Sequence, residues 1–211
     1  MMATVAESVQ QSFVRVSDNP LVLSDIYQPE VNFTIWQREQ SEGLQRDIQS
    51  LLMRHQRFSF RVILRPEDVV EWLSAKWPGG HFETFLADVQ ELAIMFADLF
   101  DQTHVGMRLE LVDKTLCPLF HEDKVMVRMV TTYAGDATEW LTEDNVNRQA
   151  LKQRDHEHVM YDHSRLQSAH TGDVLLFKGK VWSGKQGQGV VHRSARATIE
   201  NRRLLLTLDV V

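Results

Sequence analysis

Near residue 104 the hydrophobic period of this chain changes, and that change limits the folds open to it more than any other feature. Before it, Phe82, Phe85, Leu86, Val89, Leu92, Ala93, Phe96 and Phe100 recur at helical spacing. They predict a long helix with one apolar face laid against another apolar layer. After it the period drops to two. Met107, Leu109 and Leu111 alternate with Arg108, Glu110 and Val112, and similar runs span Lys124 to Tyr133 and Arg203 to Val210. Side chains two apart share a strand face, so these runs predict half-buried strands. Helices first and strands last predict an α+β chain in which a helical layer covers a mainly antiparallel sheet or barrel.

The remaining signals fill in that plan. Residues 1–30, interrupted by Pro20 and Pro29, read as an irregular lead-in to a single domain over 31–211. Within the domain, 31–103 is mainly helical and 104–211 is β, with a polar loop insertion at about 135–170. Val31, Phe33 and Ile35 alternate as a strand, and Ser41 is the N-cap of a helix carrying Leu44, Ile48, Leu51, Leu52 and His55 on one face. Phe58 to Leu64 reads as a short strand. Pro66-Glu67-Asp68 opens a second helix, with proline at the first position and acids at the positive end of the dipole, and Pro78-Gly79-Gly80 ends it. Downstream, Gly172-Asp173 is a turn before the buried run Val174 to Phe177. Gly184, Gly187 and Gly189 mark a loop before the return through Val190 to Ser194.

Charge and composition exclude several classes. With 23 basic against 29 acidic side chains, a net charge of −6 and no long basic run, nucleic acid is not an expected partner. The N-terminal stretch lacks the basic flank and apolar core of an export signal, and no run approaches about 18 apolar residues. A cytoplasmic protein with no membrane contact is expected. The single cysteine, Cys117, leaves no internal disulfide and no four-cysteine zinc site, and is expected to be buried.

The stretch Cys117 to Tyr133, CPLFHEDKVMVRMVTTY, carries the chemistry. His121 and Asp123, two apart at the head of a strand, can converge on one metal ion, which then needs a third ligand. In a chain with nine histidines such a pair arises readily by chance, so its weight comes from context. His192 stands about 70 residues downstream and Arg202 and Arg203 about ten beyond it. This order resembles that of the Fe(II)/2-oxoglutarate oxygenases, whose fold is a cupin-type double-stranded β-helix, an antiparallel jelly-roll barrel. The resemblance implies His121, Asp123 and His192 as ligands on one face of an octahedral iron. It also implies an arginine that grips the far carboxylate of 2-oxoglutarate through its planar fork. Arg203 leads directly into LLLTLD and is expected to face inward, with Arg202 pointing the other way. Arg128, opposite Val127 and Met129, reads as a surface charge, with an anion contact as the alternative if the strand is bulged.

CPLFHEDKVMVRMVTTYAGDATEWL, GDVLLFKG, VVHRS and RLLLTLD together are similar, from about residue 20 on, to a bacterial family filed as domain of unknown function 1826. The resemblance implies a cytoplasmic protein associated with zinc homeostasis, including metal-chaperone GTPases as partners. It raises Thr132, Tyr133, Thr138, Glu139 and Trp140 as pocket or cofactor-binding residues, with packing as the other reading of Tyr133 and Trp140. The His-rich stretch His156, His158, Asp162, His163 and His170 reads chiefly as solvated loop, with a zinc site as its alternative. The expected function is iron-dependent oxidation of an unknown small molecule or protein side chain, with decarboxylation of 2-oxoglutarate to succinate. A non-catalytic metal-binding module, for zinc, is the alternative of a different class; a cupin enzyme without a keto acid is the third.

Overall fold

A computed structural model describes residues 14–182 and 189–211. In chain order it contains β1 (Val14–Ser17), a 3-10 turn (Pro20–Tyr27), β2 (Phe33–Trp36), α1 (Glu42–Arg54) and β3 (Phe58–Leu64). A short 3-10 turn (Pro66–Asp68) runs into α2 (Val69–Ser74), followed by α3 (Glu83–Leu99), β4 (Val105–Val112) and β5 (Val127–Ala134). The last part holds β6 (Glu139–Trp140), α4 (Arg148–Gln153), β7 (Gln167–Ser168), β8 (Val174–Lys178), β9 (His192–Arg193) and β10 (Arg203–Val210).

The strands form a seven-stranded sheet, ordered β1-β2-β8-β5-β10-β4-β3, and a three-stranded sheet, ordered β7-β6-β9. Pairing is antiparallel except between β1 and β2. Alternation decides which layer each strand residue meets. From the large sheet, Leu109, Met129, Tyr133, Leu176, Leu204, Leu206 and Leu208 share one core with Phe85, Leu92 and Phe96 of α3. On the opposite face Phe33, Ile35, Val130, Leu175 and Phe177 pack with Trp140 and Val190, which carry the small sheet. Helices, large sheet and small sheet therefore form three layers. Both faces of the middle strands are covered, so β8 and most of β10 are buried without a polar side.

The helical layer is fixed by local chemistry as well as by burial. Ser41 Oγ accepts the Leu44 N–H at 3.2 Å, the expected cap, worth about 1 kcal/mol. α3 has no side-chain cap of its own at Phe82. Asp47 of α1 supplies one across the helix pair, accepting the Phe85 N–H at 3.0 Å. Truncating a fully buried aromatic of α3 such as Phe96 would cost about 3–5 kcal/mol through the cavity it leaves.

Four expectations are corrected. Residues 14–27 are regular: Asn19 caps the turn that Pro20 opens, and Val22, Leu23 and Ile26 are buried. Residues 1–13 lie outside the described chain, as does the loop expected at Gly184 and Gly187. The strand expected from Lys124 starts at Val127, because Asp123 to Met126 are bound instead to the loop after β8. The insertion at about 135–170 is built, with Leu141, Val146, Ala150, Val159 and Met160 gathering around Phe120 and Val191. Their irregular spacing gives no period, although together they make a core. Cys117 is exposed, since it lies in an open loop with Leu116 and Leu119 that no element covers. Among the described residues no helix is long and apolar enough to cross a membrane.

Candidate metal centre

Backbone pairing brings the two histidines together. His121 and His192 each donate a backbone N–H to the other's carbonyl, both at 3.0 Å, in an antiparallel bridge that extends the small sheet beyond β9. Their rings lie side by side, with centroids 4.6 Å apart. The loop that carries Asp123 is tied to the end of β8: Lys180 N–H donates to the Asp123 carbonyl and Gly179 N–H to the Met126 carbonyl, both at 2.9 Å. A Cβ at Gly179 would lie 2.2 Å from the Val125 carbonyl oxygen, so only glycine allows this approach.

The side chains then present ligand atoms to one point. His121 Nδ1 lies 2.9 Å from the Leu119 carbonyl and His192 Nδ1 lies 3.0 Å from the Val190 carbonyl. A carbonyl can only accept, so in each ring Nδ1 carries a proton and Nε2 is the atom left to bind a metal. His121 Nε2 is 3.6 Å from Asp123 Oδ1, and His192 Nε2 is 3.4 Å from Asp123 Oδ2. All three ligand atoms fall within 4.8 Å of one another, the single such cluster among the described residues. Two imidazoles and one carboxylate, oriented from behind by backbone carbonyls, fit a divalent metal.

Arg128 is part of this centre, which corrects its reading as a surface charge. Its Nη1 donates to Asp123 Oδ2 at 2.7 Å, while Nε and Nη2 donate to the two carboxylate oxygens of Asp209 at 2.6 Å each. Arg128 and Asp209 are opposite each other on β5 and β10, and their shared face looks into the space between the sheets. Burial alone would raise the Asp123 pKa. The two histidines beside it and the Arg128 charge outweigh it and hold this carboxyl far below the usual carboxylate range. For His121, burial lowers the pKa, but Asp123 and the Leu119 carbonyl outweigh it and the net direction is upward. Glu122, between the two ligands, points the other way. It accepts from Arg148 Nη1 at 2.7 Å and pairs with Lys180 Nζ at 3.0 Å, pinning α4 and the β8 loop to the ligand strand.

The two arginines of the last strand separate cleanly. Arg203 is 1% exposed and faces the space between the sheets. Its Nε donates to the Asp136 carbonyl at 2.6 Å and its Nη2 to Thr132 Oγ1 at 3.3 Å, leaving Nη1 buried with no partner. Burial lowers its pKa, partly offset by Asp136 and Glu139. Arg202 points outward, where Nη1 and Nη2 bind the carbonyls of His55, Gln56 and Leu52 at 2.6, 3.2 and 2.8 Å. It closes the C-terminus of α1 and is not at the centre.

Of the other candidates, Thr132 touches Arg203, Glu139 pairs with Arg193 at 2.5 Å, and Trp140 packs edge-on to Phe33 in the inner core. Thr138 is buried, and its carbonyl accepts the Ala169 N–H at 3.1 Å. Tyr133 lies on the opposite face of β5, which corrects its reading as a cofactor-binding residue. Strand alternation turns it toward α3, where its hydroxyl donates to Asp88 Oδ2 at 2.6 Å beside the Arg38–Asp88 pair. The His-rich stretch does not assemble. His158 pairs with Asp155, His170 lies 3.5 Å from Asp173, and neither joins a cluster. Asp209, Glu122 and Arg148 were not singled out from sequence, and Arg128 was singled out chiefly as a surface charge. The one signal available for Arg128 and Asp209 was that they sit on inward-facing positions of runs otherwise apolar.

Comparison with solved structures places this architecture in a known class. It matches a Shewanella oneidensis protein described as an oxygenase with a TM-score of 0.53, 9% identity, and coverage of 93% of this chain and 88% of that one. It also matches the dioxygenase for auxin oxidation in rice with a TM-score of 0.50, 13% identity and coverage of 85% and 72%. The chain shares the fold of these oxygenases. A comparison with curated proteins found no match. Residues 17–209 match the model of the family described as "Protein of unknown function (DUF1826)", and the chain belongs to that family.

Proposed function

We propose that this chain is an Fe(II)/2-oxoglutarate-dependent oxygenase, on a double-stranded β-helix backed by its N-terminal helices. His121, Asp123 and His192 would hold the metal and Arg203 the keto acid. The observation that carries the reading is the presentation of both Nε2 atoms toward one ionised carboxylate, on a fold shared with oxygenases. With iron and keto acid bound, dioxygen would be the oxidant, one of its oxygen atoms ending in succinate as 2-oxoglutarate is decarboxylated and the other going to the substrate. The chain's own residues supply position. The Leu119 and Val190 carbonyls set the ring tautomers, and Arg128 orients Asp123 and keeps it ionised. A His/Asp/His face leaves the other side of a metal open to ligands. The unpartnered Nη1 of Arg203 offers a buried cation to a carboxylate, with Thr132 Oγ1 beside it. The substrate is a small molecule or a protein side chain.

The test is anaerobic titration of Fe(II)-loaded protein with 2-oxoglutarate, following the metal-to-ligand charge-transfer band. The wild type should give the band. Arg203→Met should weaken it and Arg202→Met should not. Absence of the band, or its indifference to Arg203, overturns the keto-acid reading. Metal retained in full by both His121→Ala and His192→Ala overturns the site.

One observation favours a second reading. Separations of 3.4 and 3.6 Å between ligand atoms are nearer the edge of a tetrahedral site, about 3.4 Å for bonds of about 2.1 Å, than that of an octahedral one, about 3 Å. On it the chain is a cytoplasmic zinc-binding module serving metal homeostasis, with a metal-chaperone GTPase as partner. One equivalent of zinc retained, with no keto-acid response, is its expected result.

A further inference from the structure

A cavity of about 330 Å³ opens beside His121, lined by Phe120, Glu122, Leu151, Arg154, His156 and Lys180. A second, of about 130 Å³, adjoins it and shares Phe120 and His156; apolar Pro118, Leu119, Met160 and Leu166 complete much of its wall. The first lies in the size range of small-molecule sites.

The charges around the first cavity are one-sided. Its single acid, Glu122, has a side chain only 5% exposed and is held by both Arg148 and Lys180. Arg154 faces the cavity with no ion pair among the described residues. It also closes α4 at φ 61°, a left-handed conformation that favours glycine or asparagine and costs a residue with a Cβ about 1–2 kcal/mol. An arginine there is worse for the helix than glycine, and its one distinctive consequence is a guanidinium at the mouth of this cavity. The second cavity sets Glu157 against Arg193, which is itself bound to Glu139, and contributes mainly apolar surface.

From this we infer that the joined cavities are the substrate groove, and that they take a molecule with a carboxylate or phosphate gripped by Arg154 and an apolar body lying against Leu119, Met160 and Leu166. The inference rests on the metal site proposed above, because His121, the one proposed ligand that lines the groove, is what would make it a reaction site. Arg154 is its specificity-determining residue.

The probe is 4-fluorophenylacetate, compared with neutral 4-fluorophenylacetamide of the same shape, by fluorine NMR line broadening on the full chain. Without metal, the acid should bind and the amide bind at least about fivefold more weakly. Arg154→Gly, which suits the backbone at this position, should weaken the acid about tenfold, and Arg154→Lys should restore part of the loss. Adding Mn(II) should broaden the bound acid further in wild type and not in His121→Ala. Equal binding of acid and amide, no binding of either, an unchanged affinity in Arg154→Gly, or loss in Arg203→Met instead would each overturn the inference. So would bound Mn(II) that leaves the probe unaffected. Failure to bind Mn(II) at all would sink the metal reading and, with it, the groove's role in reaction, while the metal-free arm still decides its preference for an anion.

Discussion

Replacing Arg128 with methionine removes a cation and three hydrogen bonds while keeping most of the apolar stem. Two carboxylates, Asp123 and Asp209, then lose the charge between them. The three side chains are 15%, 11% and 22% exposed. Breaking a fully buried pair costs about 3–5 kcal/mol, and water reaches this one, so the loss should be about 2–3 kcal/mol. For a chain of this length that is a fall in Tm of about 4–12 °C. The assay is thermal unfolding of metal-free protein, which makes the result independent of metal occupancy. A double-mutant cycle with Asp209→Asn isolates the pair: the Arg128→Met/Asp209→Asn protein should recover at least about 1 kcal/mol relative to the sum of the single changes. Metal affinity should fall about 10–100-fold in Arg128→Met, because Asp123 is no longer held from behind. A Tm within about 1 °C of wild type, or strict additivity in the cycle, would refute the claim that Arg128 ties the ligand loop to the last strand.

Arg202→Met should lower stability by about 1–3 kcal/mol, since three carbonyls at the end of α1 lose a charged donor, and should leave metal affinity unchanged; unfolding in urea with parallel metal titration separates the two. Gly135→Ala should destabilise by about 2 kcal/mol or more and displace Arg203: its φ is 77°, and a Cβ would lie 2.5 Å from the Arg202 carbonyl oxygen and 3.0 Å from Arg203 Cγ. Thermal unfolding reads the first effect and 2-oxoglutarate affinity the second. Tyr133 gives a dependence on pH. Burial, then the Asp88 charge, pushes its phenol well above 10.0, so the unfolded chain loses this proton near pH 10 while the fold keeps it. Its contribution is therefore present below about pH 10 and lost as pH rises beyond, by up to about 1.4 kcal/mol per pH unit. Urea unfolding from pH 8 to 11 should show a shallower alkaline decline in Tyr133→Phe than in wild type; an equal decline would contradict the burial argument. A residual slope is expected from Tyr27, which burial and then Asp101 also raise.

The parts of the fold visible in sequence were those where one side chain decides the local outcome. Ser41 capped its helix, the stripe Phe85 to Phe96 packed inward, and Arg203 opened the last strand where LLLTLD begins. What sequence hid depends on pairing between distant strands. Arg128 looked like a solvent-facing residue of an alternating strand, because alternation tells which face a residue takes and not what covers that face. The face opposite Met129 is covered by the small sheet, so a position expected to meet water meets Asp123 and Asp209. Tyr133 failed by the same logic in reverse. It is one residue from Thr132, and that single step turns it from the Arg203 side to the α3 side. The insertion escaped for another reason: its apolar residues serve a core that is local in space but aperiodic along the chain.

The same pairing explains why the centre sits where it does. His121 and His192 are joined by reciprocal backbone bonds, so neither ligand is placed until the two strands meet across about 70 intervening residues. Asp123 is placed from the other side, by Gly179 and Lys180 at the end of β8 and by Arg128, which in turn needs Asp209 at the end of β10. Arg203 begins the strand that Asp209 nearly ends, and both face inward, six positions apart. One strand therefore serves both sets of contacts, holding the ligand carboxylate through Arg128 at one end and a buried unpartnered guanidinium at the other. A shift of β10 by one residue would turn both away from the space between the sheets. The ladders that β10 makes with β4 and β5 on its two sides resist that shift, and Arg202, one position earlier on the outer face, adds a tie to the end of α1 on which the site does not depend.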